Sequence, residues 1–368
     1  MRGDKRMGWG ALWAALVLGG CHGHAQPRTG GATQCVRGPR DVALRLQHTV
    51  EYLADDAREG RGTGTPGDAE TVAYLVRNLT ALGLEPAGES GFEQPFAVLP
   101  GRPGHHASAQ PLTDPLPPGA LRTSNVLARI PGTAPDAATR PVFVLGAHRD
   151  HIGHGGPSSR APGSTEIHNG ADDNASGVAA LLELARQLRA RPVERTVVLV
   201  WFGAEELGLL GSRFLVEHPL PATQQVGAMM NMDMVGRLNG CRLFVEGSGL
   251  GPAVQRAVHT ANDSFHLDAR PWESWRGSWG ASDHMNFSRV RVPTLFFFTG
   301  LHPDYHAPSD DPPTLDYPGL AAVTRFAEAV LRQMSALPDE ALRWQRRSSR
   351  RAVASRAGRW QLPAPLSP

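Results

Sequence analysis

Two histidines, two aspartates and two glutamates sit at the ends of apolar runs in this chain, and with their neighbours they hold most of its potential chemistry. His148 and Asp150 lie in GAHRDHIG (146–153), and Asp172 and Asp173 in HNGADDNASG (168–177). Glu205 and Glu206 lie in WFGAEELG (201–208), Asp233 in NMDMVGR (231–237) and His306 in FFFTGLHPDYHAPSDD (296–311). Imidazole nitrogen and carboxylate oxygen are zinc donors, at ~2.0–2.2 Å. A two-metal hydrolase also needs a carboxylate bridging metals ~3.5–4 Å apart, and a general base that is not itself a ligand. Adjacent glutamates can divide those tasks, because neighbouring side chains point apart. Each segment alone has an ordinary reading. Glu-Glu at a helix start suits the helix dipole, Asp-Asp-Asn suits a helix N-cap, and Asp150 is either a surface turn or the partner of a metal-bound imidazole. Taken together they are the ligand inventory of a two-zinc hydrolytic site.

The elements that must position these groups follow from hydrophobic patterning. Apolar stretches at 124–130, 141–148, 195–203, 226–234 and 293–300 read as strands. Residues 176–189, 207–217 and 251–261 read as helices between them. Two earlier helical patterns start at Asp41 and Thr71, separated by the turn REGRGTGTPG, and residues 100–120 form a Pro/Gly-rich loop. Near-continuous apolar strands alternating with helices predict an α/β fold of three layers, α/β/α, around a mostly parallel mixed central sheet. In such folds functional groups gather beyond the carboxyl ends of the strands. His148, Glu205, Glu206 and Asp233 are each at such an end, with His306 just past the last strand.

The 368 residues suffice for one large α/β domain. The main domain is read as 41–336. A net charge of +2 gives no field that argues for nucleic acid. Residues 1–21 read as a lipoprotein-type signal peptide: Arg2, Lys5 and Arg6, an apolar run too short to span a bilayer, then Leu-Gly-Gly-Cys at 18–21. The expectation is an exported protein held at a membrane surface through acylated Cys21, or else secreted after ordinary signal cleavage. Residues 22–40 read as a linker and 337–368 as a solvated basic tail. Cys35 and Cys241 are left either paired or free.

These segments resemble metallopeptidase family 28, the co-catalytic zinc aminopeptidases, over about residues 41–335 and in the family's order. The similarity is greatest to its bacterial secreted group and extends to REGRGTGTPG. The resemblance implies a zinc-exopeptidase-like fold and two Zn²⁺. It implies one metal on His148 and Asp233, the other on Glu206 and His306, and Asp172 bridging both. It makes Glu205 the general base and Asp150 the partner that orients His148, with a cis peptide between Asp172 and Asp173. His306 is preferred to His302 because His306 to Asp310 matches the family's His-x-Pro-x-Asp. His151, His154 and His168 read as exposed loop histidines without a ligand role, and Asp283-His284 as support for the pocket. Trp279 stands about where some relatives carry an oxyanion-stabilising tyrosine, and with Trp272 and Trp275 it either lines a side-chain pocket or packs a long loop. The activity implied is removal of N-terminal amino acids from peptides. Three alternatives stand beside it: a carboxypeptidase holding its substrate through Arg276 or Arg289, a glutaminyl-cyclase-like acyltransferase, and a non-catalytic binding protein. Nothing in the sequence sets the oligomeric state, the preferred side chain or the native metal.

Overall fold

The protein is described from a computed structural model that covers residues 35–101, 106–273 and 282–345. Two helices open it, α1 (Arg40–Leu53) and α2 (Pro66–Ala81). Strands β1 (Glu85–Pro86), β2 (Glu93–Leu99), β3 (Ser108–Pro111), β4 (Leu121–Ile130) and β5 (Val142–His148) follow. Then come α3 (Gly177–Ala190), β6 (Val197–Phe202), α4 (Leu210–Glu217), β7 (Val226–Met232), β8 (Arg242–Ser248), α5 (Pro252–Asn262) and β9 (Asp268–Glu273). The chain closes with α6 (His284–Arg289), β10 (Thr294–Phe298) and α7 (Tyr317–Ser335).

All strands join one mixed sheet in the order β3-β2-β4-β6-β5-β7-β10-β8-β9, with β1 pairing off that path on β4. The four central strands β6, β5, β7 and β10 run parallel. Antiparallel pairing surrounds them, at β4 on one side and β8 on the other. Every residue of β6, VVLVWF, is buried, because helices cover both faces there. One large core cluster draws on α1, α3, α5 and α7; a second, including Leu215 and Phe287, lies under α4 and α6. Each fully buried Leu or Phe of this kind contributes ~1.5–3 kcal/mol. The fold is thus the expected α/β arrangement with a parallel centre.

Several boundaries differ from the sequence reading. Helix α2 starts at Pro66, because Thr65 caps it by accepting the Asp68 N–H and proline is favourable in a first turn. Helix α4 starts only at Leu210, after Leu209 adopts φ 59°. The loop read at 100–120 contains the short strand β3, and β2, β8 and β9 carry too weak a pattern to be read in advance. The packed body also runs beyond Ala336. Arg195 reaches Leu337 O and Asp339, and Leu342 is buried. Cys35 is buried and joined to Cys241 by a disulfide. Among the described residues no helix is long and apolar enough to cross a membrane. The signal segment with Cys21, the basic run after residue 345, Trp275, Arg276, Trp279 and the side chain of Trp272 lie outside the described part.

Candidate active site

Three adjacent parallel strands deliver the central groups. His148 is the last residue of β5, Glu205 and Glu206 follow β6, and Asp233 follows β7. The loop after β10 brings His306, and the turn before α3 brings Asp173. Two donor groups result: His151, Asp173, Glu206 and His306 in one, His148, Glu205 and Asp233 in the other. Asp173 joins them, with Oδ1 3.2 Å from His148 Nε2 and Oδ2 3.1 Å from His306 Nε2. His148 Nε2 is 3.4 Å from Asp233 Oδ1, and His306 Nε2 is 3.4 Å from Glu206 Oε2.

The carboxylate between the two donor groups is that of Asp173, where the sequence reading expected Asp172. Asp172 is fully buried but turned away: its Oδ1 accepts the Gly236 N–H at 2.7 Å, and its Oδ2 lies 3.2 Å from His302 Nε2. The turn explains the difference. Asp173 and Asn174 leave helical geometry (φ −101°, ψ 95° and φ −130°, ψ 42°), which swings the second carboxylate of the pair into the cluster. The cis peptide is likewise Asp173–Asn174 and not Asp172–Asp173. Asp310 fixes this turn, its Oδ2 accepting N–H bonds from both Asp172 and Asp173 at 3.0 Å.

Asp150 acts differently from expectation. Its carboxylate receives the backbone N–H groups of Glu205 and Glu206 at 3.0 and 3.3 Å and the Thr63 hydroxyl at 3.0 Å. It is its main-chain carbonyl that meets His148 Nδ1, at 3.2 Å. So Asp150 orients the imidazole through its backbone and the Glu-Glu turn through its side chain. His151 and His168 are buried, not exposed as expected. His151 Nδ1 holds Glu206 Oε1 at 2.8 Å, while His168 bonds Ser159 and the Glu166 carbonyl. His154 is exposed, and His302 faces Asp172 rather than the donor groups.

REGRGTGTPG turns out to brace these loops. The buried Arg61 guanidinium donates to the carbonyls of Leu53, Arg149, Asn169 and Gly170, tying α1 to the loops that carry Asp150 and Asp173. Gly67 has no room for a side chain, since a Cβ there would lie 1.8 Å from Arg58 O. Positive φ at Ala204, Met234 and His306 marks strained backbone beside three of the functional side chains.

Electrostatics separates the two glutamates. Burial and Asp173 push Glu206 up, but hydrogen bonds with His151 and His306 prevail and hold it at about 2. Glu205 makes no such bond among the described residues, and burial drives its carboxyl well above the ordinary range despite nearby His148. Burial opposes charge on His148 and His306. The carboxylates around them win, raising His148 well above its usual value and His306 to about 10.

The donor set fits divalent metal. A tetrahedral centre ~2.0–2.1 Å from each ligand has edges of about 3.4 Å, close to the four His–carboxylate separations of 3.1–3.4 Å. The converging carboxylates face imidazoles, and among the described residues no arginine or lysine pairs with Asp173, Glu206 or Asp233. A cleft of about 200 Å³ opens on them, walled by Met234, Phe296, Phe298, Leu301 and Tyr305. His284 stacks on Phe296 with centroids 4.5 Å apart, and burial holds its imidazole down at about 3. Tyr305 stacks on His306 and went unnoticed in the sequence, although it directly precedes that histidine.

Residues 125–331, which contain all the groups at the cluster, match the model of peptidase family M28. The chain belongs to peptidase family M28. A curated relative of this M28 chain, leucine aminopeptidase 1 of Metarhizium robertsii, is 30% identical over 209 residues, 52% of this chain and 50% of that protein. The chain thus spans about half the length of the curated relatives it matches. The M28 fold also superposes on a leucine aminopeptidase precursor from Bacteroides thetaiotaomicron, with TM-score 0.60 and 21% identity, covering 81% of this chain and 99% of that one. A glutaminyl cyclase from Tannerella forsythia gives TM-score 0.59 at 21% identity, over 79% of this chain and 98% of that one. The shared fold therefore carries differently named proteins, and the site must decide between them.

Proposed function

We propose that the protein is a two-zinc aminopeptidase that removes N-terminal amino acids from peptides. The observation that carries this reading is the composition of the cleft. Carboxylates that face imidazoles line it together with apolar side chains, and among the described residues no arginine or lysine does. An α-ammonium group with an apolar side chain suits that surface. A substrate carboxylate, which a carboxypeptidase must bind, finds no arginine or lysine among the described lining residues; Arg289 is engaged with Asn286, and Arg276 lies outside the described part. The two donor groups favour hydrolysis over the one-zinc cyclase reading.

One metal would rest on His148, Asp173 and Asp233, the other on Asp173, Glu206 and His306. When bound, the metals polarise the scissile carbonyl and acidify the attacking water. Glu205, untethered and raised by burial, accepts a proton from the water at its carboxylate and passes it to the leaving amine nitrogen. Tyr305, kept protonated by burial, places an O–H on the same wall for the developing oxyanion. Asp150 and His151 hold Glu205, Glu206 and His148 in register. The segment 1–21 supports export and anchoring at Cys21, and the Cys35–Cys241 disulfide suits an oxidising compartment.

The test is hydrolysis by zinc-loaded protein of a leucyl tripeptide with a free N-terminus, an acetylated N-terminus or an amidated C-terminus. Cleavage that requires the free amine and ignores amidation is expected. Cleavage that survives acetylation and stops on amidation would move the assignment to a carboxypeptidase.

A further inference from the structure

The cleft of about 200 Å³ ends against Phe296 and Phe298. It is smaller than the ~300–1,000 Å³ of sites that enclose a drug-sized ligand. It therefore takes one side chain, and the rest of a peptide must leave in another direction. A second depression, of about 290 Å³, begins at the same Glu206 and runs over Thr63, Ile152, Leu207 and Leu121. Exposure singles out this path. Six large apolar side chains are conspicuously exposed among the described residues: Val36, Leu44, Leu121, Leu207, Val290 and Leu301. Leu121 (39%) and Leu207 (38%) line the second depression, and Leu301 (39%) lines the first. Isolated exposed leucines need no explanation, but apolar groups gathered around one polar centre mark a binding surface.

We infer that the depression lined by Leu121, Ile152 and Leu207 is a subsite for the leaving peptide, selecting an apolar residue just after the scissile bond. The inference rests on the aminopeptidase reading and adds the substrate class. Glu59 and Glu206 line this depression and, among the described residues, no arginine or lysine does, so an acidic residue is disfavoured there. The occupant is the substrate itself, because the surface is continuous with the cluster through Glu206. Substrates are then oligopeptides with an apolar second residue, and glycine at that place is a poor fit.

The experiment compares kcat/KM for Leu-Gly-Gly, Leu-Phe-Gly, Leu-Gly-Phe and Leu-Asp-Gly with the zinc-loaded full chain. A preference of ~5- to 10-fold for Leu-Phe-Gly over Leu-Gly-Gly and Leu-Gly-Phe is expected, with Leu-Asp-Gly the slowest. In the double variant L121S/L207S the preference falls towards unity. It is a ratio within one enzyme, so a general loss of metal or fold cancels. The control V290S alters a similarly exposed valine away from both depressions and should keep the wild-type ratio. Equal rates in the wild type, or a ratio untouched by L121S/L207S, overturn the subsite while leaving the aminopeptidase reading intact. No cleavage of any peptide by metal-loaded protein overturns that reading, and the subsite with it.

Discussion

Asp172 and Asp173 are neighbours in sequence and both buried, yet they belong to two different electrostatic regions. Asp173 faces the cleft, where carboxylates meet only imidazoles. Asp172 faces a web behind the turn, where Arg237 reaches Asp304 and Asp310 at 2.5 and 3.0 Å and lies 3.9 Å from Asp172. In the web each negative charge has a cation or backbone N–H groups close by, so the web is complete with protein alone. In the cluster the negative charges outnumber the imidazoles, and the Glu205 carboxylate has no hydrogen-bond partner among the described residues. The difference teaches that a buried carboxylate is read by its partners and not by its place in a motif.

The largest effect that tests this contrast should come from E205Q. Its kcat should fall ~10²- to 10⁴-fold while metal content stays at the wild-type level, because the proton acceptor is lost and the donor set is not. Loss of metal together with activity would make Glu205 a ligand and erase its distinction from Glu206. Next is R237M, which removes the web's arginine and leaves buried Asp172 and Asp310 with only His302 and backbone N–H groups close by. A loss of ~3–5 kcal/mol in urea unfolding is expected. A loss below ~1 kcal/mol would mean that His302 and the backbone N–H groups balance the web.

A smaller and more specific effect is proton release on metal uptake. In the metal-free protein the surrounding carboxylates raise His148 well above its usual value and His306 to about 10, so His306 is charged at pH 7. Metal coordination needs neutral imidazole, so zinc loading should release at least the proton of His306. Calorimetry in buffers of different ionisation enthalpy measures the number. The sign also sets a stability trend. The folded-state values lie above the unfolded ones, so these histidines stabilise the metal-free protein fully below about pH 6.5. That contribution fades as the pH climbs, for His306 through about 10. Flat metal-free stability across that window would contradict the paired cluster.

Much of this was legible in the sequence because the central parallel strands are buried on both faces and read as unbroken apolar runs. Their ends located His148, Glu205, Glu206 and Asp233 directly. The flanking strands β2, β3, β8 and β9 escaped notice, having shorter or more polar patterns. What the sequence lacks is parity inside an irregular turn. Nothing in Asp-Asp-Asn says which carboxylate turns outward, since the choice depends on φ and ψ fixed by Asp310 and Gly236. The same holds for His151, whose burial results from the distant bracing by Arg61 and Gly60.

The most direct test of the central contrast is the zinc content, by mass spectrometry, of wild type, D172N and D173N after identical loading and desalting. Two zinc ions per chain are expected in the wild type and in folded D172N, with fewer than one retained by D173N. Full retention by D173N, with loss in D172N, would place the bridging carboxylate at Asp172 and contradict the account.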